Sequence, residues 1–379
     1  MLDSITLYTI IFYSSLSLPI LGVFLLSKYH SIEKEKLFLN YFGGAFIFFI
    51  FILIAFRPIG YLGFTDTQMY ITWFNNSKTD DIIEIKDLGF GLFTYLFAKI
   101  GSLRFFFIGC TLLSFGTLFW ISKYVSKRYW FLFFLGVMVS LYFWNHQVFT
   151  MRQGIASLLF ITALFQRKLF FKILFFLLAV SFHKSFLLPL FCYIIVIAYN
   201  KTNFYITLWL LSIPISYFFG NRLTELFSES LFPGIKYYLP ENISVRNFSE
   251  YRWDVVIYSA IFIVFPYYYK FSDLKYKIIF HLYLLTNAFI ILLIWSTEGF
   301  IHRFVYLSWF LTPFLVYYPL FKQKNLFNFA QYFKILLLFY LLVLSYVGFK
   351  IYNQGFRFIP KVEEVATNNQ VSINTYIDK

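Results

Sequence analysis

The chain has 379 residues, of which 60% are hydrophobic and only 13% charged, and its mean hydropathy is +0.70. No water-soluble domain needs that much apolar surface, so a soluble enzyme is excluded and a polytopic helical membrane protein is indicated. The formal net charge of +14 would suit nucleic acid in a soluble protein. Here the loops are short and carry no RNA-binding motif, so positive-inside bias accounts for it and no nucleic-acid partner is expected.

The start, Met1-Leu2-Asp3, lacks a basic n-region. The apolar run over 5–27 is too long for a cleavable signal and is expected to remain as a first transmembrane helix. A second helix is predicted over 37–56. The polar stretch 57–87 holds Asp66, Asp80, Asp81, Glu84 and Asp87. Residues 88–100 are apolar but short and are punctuated by Gly89 and Gly91, which predicts an interfacial or re-entrant helix. Further helices are predicted over 103–122 and 129–144, then as two runs folded back at 166–168. The remainder are predicted over 185–199, 204–219, 253–269, 278–295, 304–320 and 332–348. A second polar stretch covers 220–252. The expected fold is an all-α polytopic bundle of about twelve spans. It forms one membrane domain, 1–349, with larger loops at 57–103 and 220–252 and a polar tail at 350–379. Cys110 and Cys192 lie in apolar runs without metal spacing and read as small packing residues.

One set of short loops is dense in Lys and Arg: Lys28, Lys34 and Lys36; Lys123, Lys127 and Arg128; Arg167, Lys168 and Lys172. Lys201, Lys270, Lys275, Lys277 and Lys322 extend the set. These loops are expected to be cytoplasmic. The opposite side then holds both long stretches, the tail and almost every acid. It also holds Arg57, Arg152, His183 and a predicted turn carrying Glu298, His302 and Arg303.

The hairpin focuses that asymmetry. Arg152 lies 15 positions before Arg167, and His183 lies 15 positions after Lys168. At about 1.5 Å per residue both sit about 22 Å from the turn, level with each other. Charge at that depth is either functional or an anchor snorkelling to water. No Gly-rich phosphate loop, Asp-x-Asp pair, Ser-His-Asp spacing or histidine metal pattern appears, and no metal or cofactor is expected. Arginines at the mouth of an apolar bundle suit a phosphate or pyrophosphate whose lipid tail lies between helices. A nearby carboxylate or histidine would take a proton from an incoming hydroxyl. The chemistry expected is a transferase acting on a lipid-linked donor.

The block from Arg152, RQGIASLLFITALFQRKLFFKILFFLLAVSFHKSFLLP, resembles the signature of the EpsG family, the Wzy-like bacterial polysaccharide polymerases. Arg57-Pro58 followed by Asp66-Thr67 and Tyr70 resembles the family's first outer loop. Asp87-Leu-Gly-Phe90 resembles its acid-x-Gly-Phe element, with Asp in place of Glu. His302-Arg303-Phe-Val-Tyr306 resembles its late Arg-x-x-Tyr element.

The resemblance implies polymerisation of undecaprenyl-pyrophosphate-linked oligosaccharide repeat units at the outer face of a bacterial inner membrane. It also implies membrane lipid around the chain and a chain-length regulator protein as a partner. Arg152, His183, Asp66 and Asp87 become candidate catalytic residues. Arg57, Tyr70, Gln153, Lys184, Ser185, Arg303 and Tyr306 become candidate substrate-binding residues. The plain readings stay open beside these: interfacial anchors for Arg57, Arg152 and Arg303, a helix-end residue for His183, a solvated charge for Asp66. Two other functions also stay open, a flippase or transporter of the same lipid-linked sugar and an O-antigen ligase-like transferase. Transporters place their sites near the midplane on broken, repeated helices, and no repeat is visible here.

Overall fold

A computed structural model describes residues 32–57, 66–79, 87–138, 140, 143, 150–230, 251–269, 273–294 and 298–322. All regular structure among them is helical. The first seven helices are α1 (Ile32–Ala55), α2 (Thr67–Thr79), α3 (Leu88–Ile100), α4 (Leu103–Val125), α5 (Trp130–Met138), α6 (Met151–Phe165) and α7 (Leu169–Phe182). A 3-10 turn, Lys184–Phe186, leads into α8 (Leu187–Ala198). Then follow α9 (Thr202–Ser230), α10 (Trp253–Tyr269), α11 (Leu274–Leu292), α12 (Glu298–Trp309) and α13 (Thr312–Lys322).

The segments Leu103–Val125, Thr202–Gly220, Leu274–Leu292 and Phe304–Lys322 are long and apolar enough to cross a membrane. Shorter apolar helices, among them Met151–Phe165 and Leu169–Phe182, fill the bundle around them. The predicted helices at 5–27 and 332–348 and the tail at 350–379 lie outside the described residues.

Helices α5 and α6 are apolar on all sides, and such helices belong inside. Every residue of α5 is buried, as is every residue of α6 except Arg152. The hairpin expected at 166–168 is present: α6 ends at Phe165, α7 begins at Leu169, and the two helices pack along their length. Phe310 joins this half of the bundle to the other. Its ring lies 5.7 Å from Phe160 and 5.4 Å from Phe186.

Three sequence expectations need correction. The polar stretch 57–87 contains helix α2. Thr67, Tyr70, Phe74 and Ser77 are its buried positions, a helical stripe laid against α3. The predicted turn at 298–303 is the first part of α12; the span predicted over 304–320 does reach crossing length, with a break in its helix at Phe310-Leu311. Helix α9 runs on to Ser230, through Pro214 and into the second polar stretch.

The two ends of the bundle differ in chemistry. At one end Lys275 Nζ donates to Phe165 O (3.1 Å) and Tyr124 Oη (2.7 Å), and Tyr318 Oη donates to Asp273 Oδ2 (3.1 Å). These contacts gather the ends of α4, α6 and α13 and the start of α11, with Lys123, Arg167, Lys277 and Lys322 nearby in sequence. The other end collects Arg57, Asp87, Arg104, Arg152 and His183. Both ends of α3 lie there. Asp87, before its first residue, touches Arg152. Gly101 (φ 91) turns the chain into α4, whose Arg104 Nη1 donates to Arg57 O at 2.9 Å. Helix α3 thus lies across that end. Phe90, Phe93 and Phe97 along its length all pack on Phe106 of α4.

Candidate active site

Asp87 is the junction of this end. It stands immediately before α3, where a carboxylate favours the helix dipole, yet it makes no side-chain cap on its own helix. Its two oxygens reach outward. Oδ2 accepts from Arg152 Nη1 at 2.6 Å, and Oδ1 accepts from the Lys184 backbone N–H at 2.9 Å. One carboxylate therefore clips together the start of α6 and the break after α7.

That break makes the second bond possible. His183 is extended (φ −155°, ψ 109°), which ends α7. Helix ends leave amides without intrahelical partners. Phe186 N–H returns to His183 O at 3.0 Å, while Lys184 N–H turns to Asp87. A glycine allows the close approach: a Cβ on Gly89 would stand 2.3 Å from Ser181 Oγ and 3.0 Å from the Ser181 carbonyl carbon. The glycine of the Asp87-Leu-Gly-Phe90 element is thus the contact point between α3 and α7.

Arg152 is held on three sides. Asp87 takes Nη1, the Trp73 ring lies 5.1 Å beneath the guanidinium carbon, and the Arg152 backbone N–H points to Tyr70 Oη at 3.4 Å. Its side chain remains 21% exposed against 8% for Asp87. A guanidinium has five N–H donors, so this geometry leaves donor capacity on the open side. An ion pair with that exposure is weak as a source of stability, and its value lies in fixing orientation.

Arg57 is fully buried, at 0% exposure. Its Nε donates to Ile54 O (3.0 Å), Nη2 reaches Met151 Sδ (2.9 Å), and the guanidinium lies over Phe107 at 5.1 Å. Met151 precedes Arg152, so two arginines meet at the first turn of α6. His183 is half-buried, and its Nδ1 is paired with Ser185 Oγ. Gln153 is buried beside Arg152. Lys184 contributes its backbone N–H to the group, and its side chain is exposed. Asp66 precedes α2, its carbonyl oxygen accepting from Tyr70 N–H at 3.1 Å. Tyr306 packs edge-on against Trp309 at 6.0 Å, on α12. The side chains of His302 and Arg303 lie outside the described residues.

The structure therefore brings Tyr70, Asp87, Arg152 and the Lys184 amide into one group, with Arg57 and His183 adjoining it. Sequence reading missed Trp73 and Arg104. Trp73 stands three residues after Tyr70 on a helix, a spacing that places the two side by side. Arg104 holds the carbonyl end of α1 and so seats Arg57. Among the described residues no group of three or more His, Cys, Asp or Glu is placed to hold a metal ion.

Comparison with known proteins gives one family: the model of the EpsG family matches residues 40–360. No curated protein and no solved structure matches the chain.

Proposed function

The chain belongs to the EpsG family of Wzy-like polysaccharide polymerases, and from that membership we propose a membrane glycosyltransferase that joins oligosaccharide repeat units carried on undecaprenyl pyrophosphate. The growing chain on its lipid pyrophosphate is the donor, and the terminal hydroxyl of a new unit is the acceptor. The acceptor oxygen bonds to the anomeric carbon. The bond from that carbon to the pyrophosphate oxygen breaks, and undecaprenyl pyrophosphate leaves with the electron pair. The hydroxyl proton passes to a base. A single displacement inverts the anomeric centre, as in one-step glycoside chemistry.

The observation that carries this reading is the clasp of Asp87 on Arg152 and the Lys184 amide. It aims a pre-oriented guanidinium at the open end of an apolar bundle. In this mechanism Arg152 binds the pyrophosphate and stabilises the charge that develops on it, with Arg57 seated behind and no metal in the step. Both oxygens of Asp87 are engaged, which suits it to positioning Arg152. His183 is assigned as the base: in the tautomer that gives Nδ1–H to Ser185 Oγ, Nε2 carries the lone pair. The basic end of the bundle faces the cytoplasm and the clasp faces outward, by the positive-inside rule.

Arg152→Lys tests this directly. It keeps the charge and loses the fork that fits a phosphate. Long polysaccharide is expected to disappear and single repeat units to accumulate on the lipid, with the protein at its normal level in the membrane. Normal polymer length at matched expression would reduce Arg152 to a snorkelling anchor.

A further inference from the structure

A groove runs between α9, α10 and α11 at the basic end of the bundle, far from the Asp87 clasp. Its volume is about 510 Å³, and Ile206, Trp209, Ala260, Ile263 and Phe280 supply its walls. Thr202 and Lys277 stand at its mouth. From Thr202 to Leu210 along α9 the groove extends about 12 Å, at about 1.5 Å per residue. Leu210, Ile261 and Val264 beside it are exposed, so the groove opens on the apolar flank of the bundle.

We propose that this groove holds one acyl chain of an anionic phospholipid from the cytoplasmic leaflet, with the headgroup phosphate on Lys277. Two observations commit the occupant. The walls are apolar and open on a flank whose exposed residues Leu210, Ile261 and Val264 are apolar, where a hydrocarbon chain fills space that water would leave unfavourable. The mouth is cationic: Lys277 is exposed, and Lys201 precedes Thr202. The acid immediately before α11, Asp273, is committed to the Lys275 and Tyr276 N–H groups and to Tyr318 Oη. A zwitterionic headgroup would leave the mouth without a net counter-charge, so the surface selects an anionic one. Thr202 is fixed at the mouth by its bond to His281 Nε2 at 2.8 Å, and His281 stacks on Tyr205 at 4.8 Å. The mouth is therefore preformed. This site takes no part in the proposed reaction, whose donor pyrophosphate is placed at the opposite end; its assignment to the cytoplasmic leaflet rests on the orientation proposed above.

The test uses the purified full chain in mild detergent, with phosphatidylglycerol and phosphatidylcholine as probes. Thermal stability and native mass spectrometry are the readouts. Phosphatidylglycerol is expected to raise the unfolding temperature more than phosphatidylcholine and to stay bound as one molecule per chain. Lys277→Glu is expected to lower retention of phosphatidylglycerol about tenfold or more, because it reverses the charge at the mouth. Ala260→Trp, which fills the groove, is expected to abolish retention of either lipid. Lys277 is exposed, so its variant decides the matter even if Ala260→Trp does not fold. Equal stabilisation by the two lipids, or undiminished phosphatidylglycerol on Lys277→Glu, would overturn the proposal. So would a dimer that Ala260→Trp dissociates without any effect of lipid, since the groove would then belong to a second copy.

Discussion

Two of the polar constellations among the described residues follow opposite plans. Asn287 lies within α11 with no exposed surface, and both its amide protons are used: Nδ2 donates to Ser259 Oγ (3.0 Å) and Ser308 Oγ (2.9 Å). Its Oδ1 accepts from Trp209 Nε1 at 2.7 Å, and Trp309 Nε1 closes the set on Ser259 Oγ at 3.1 Å. Helices α9 to α12 are tied by uncharged bonds. The Asp87–Arg152 group is charged, sits at a bundle end and retains both exposure and spare donors. A satisfied neutral knot holds helices together and offers nothing to a ligand. A charged group with donors facing outward costs stability and has to be explained by what it binds. Polarity within an apolar helix is therefore ambiguous until burial and leftover hydrogen-bonding capacity are known.

The comparison breaks most sharply at His183. Under the proposed mechanism His183→Gln removes the base while keeping a hydrogen-bonding side chain, and polymerisation should slow by about 10²–10⁴. Thermal stability should not change. The measurement is turnover of purified lipid-linked repeat units by wild type and variant at matched protein. A fully active Gln variant would end the base role and transfer attention to Asp66.

Asn287→Leu should do the reverse. It strips Trp209, Ser259 and Ser308 of their shared partner while keeping the volume. An interhelical hydrogen bond in a membrane bundle is worth about 0.6 kcal/mol on average, so losing three costs about 2 kcal/mol. The unfolding temperature should fall, while the rate per folded molecule should hold. If Asn287→Leu left stability intact and abolished polymerisation, the division between knot and site would be wrong.

The hairpin was readable because its charges are rare in its sequence, so spacing alone set the ends of α6 and α7 level. The clasp supplies a physical meaning for that level, since Asp87 spans from Arg152 to the Lys184 amide. Asp87 as a partner of a backbone N–H was not readable, because the bond depends on where α7 breaks. Helix α2 was obscured by the acids around it, although Tyr70, Phe74 and Ser77 carry a helical period. The interruption at Phe310-Leu311 did leave a mark in the sequence: Pro313 has no N–H to give to Trp309 O and its ring crowds that carbonyl, although apolar residues continue across the break. At the break Phe310 packs on Phe160 and Phe186. The span count remains an expectation from hydropathy, because only Leu103–Val125, Thr202–Gly220, Leu274–Leu292 and Phe304–Lys322 reach crossing length among the described residues.

Trp73 offers the finest test of the site. Its ring lies 5.1 Å from the Arg152 guanidinium carbon, on α2, and it packs against Tyr70 and Phe90 at 5.7 and 6.4 Å. Indole is the best aromatic partner for a cation, and the contact contributes about 0.5–1 kcal/mol where water has access. Trp73→Phe keeps an aromatic face and weakens the attraction, so Arg152 should be less firmly oriented, with Asp87 still holding it. Complete loss of the contact corresponds to about two- to fivefold in kcat/KM for the lipid-linked donor, by the relation of 1.36 kcal/mol to a factor of ten, and the Phe variant should lose only part of it. Trp73→Leu should lose more, because it removes the π face altogether. Stability should move little in the Phe variant, since the ring contacts with Tyr70 and Phe90 persist. Equal activity of the Phe and Leu variants would mean that Trp73 only fills space beneath Arg152, leaving Asp87 alone to orient it.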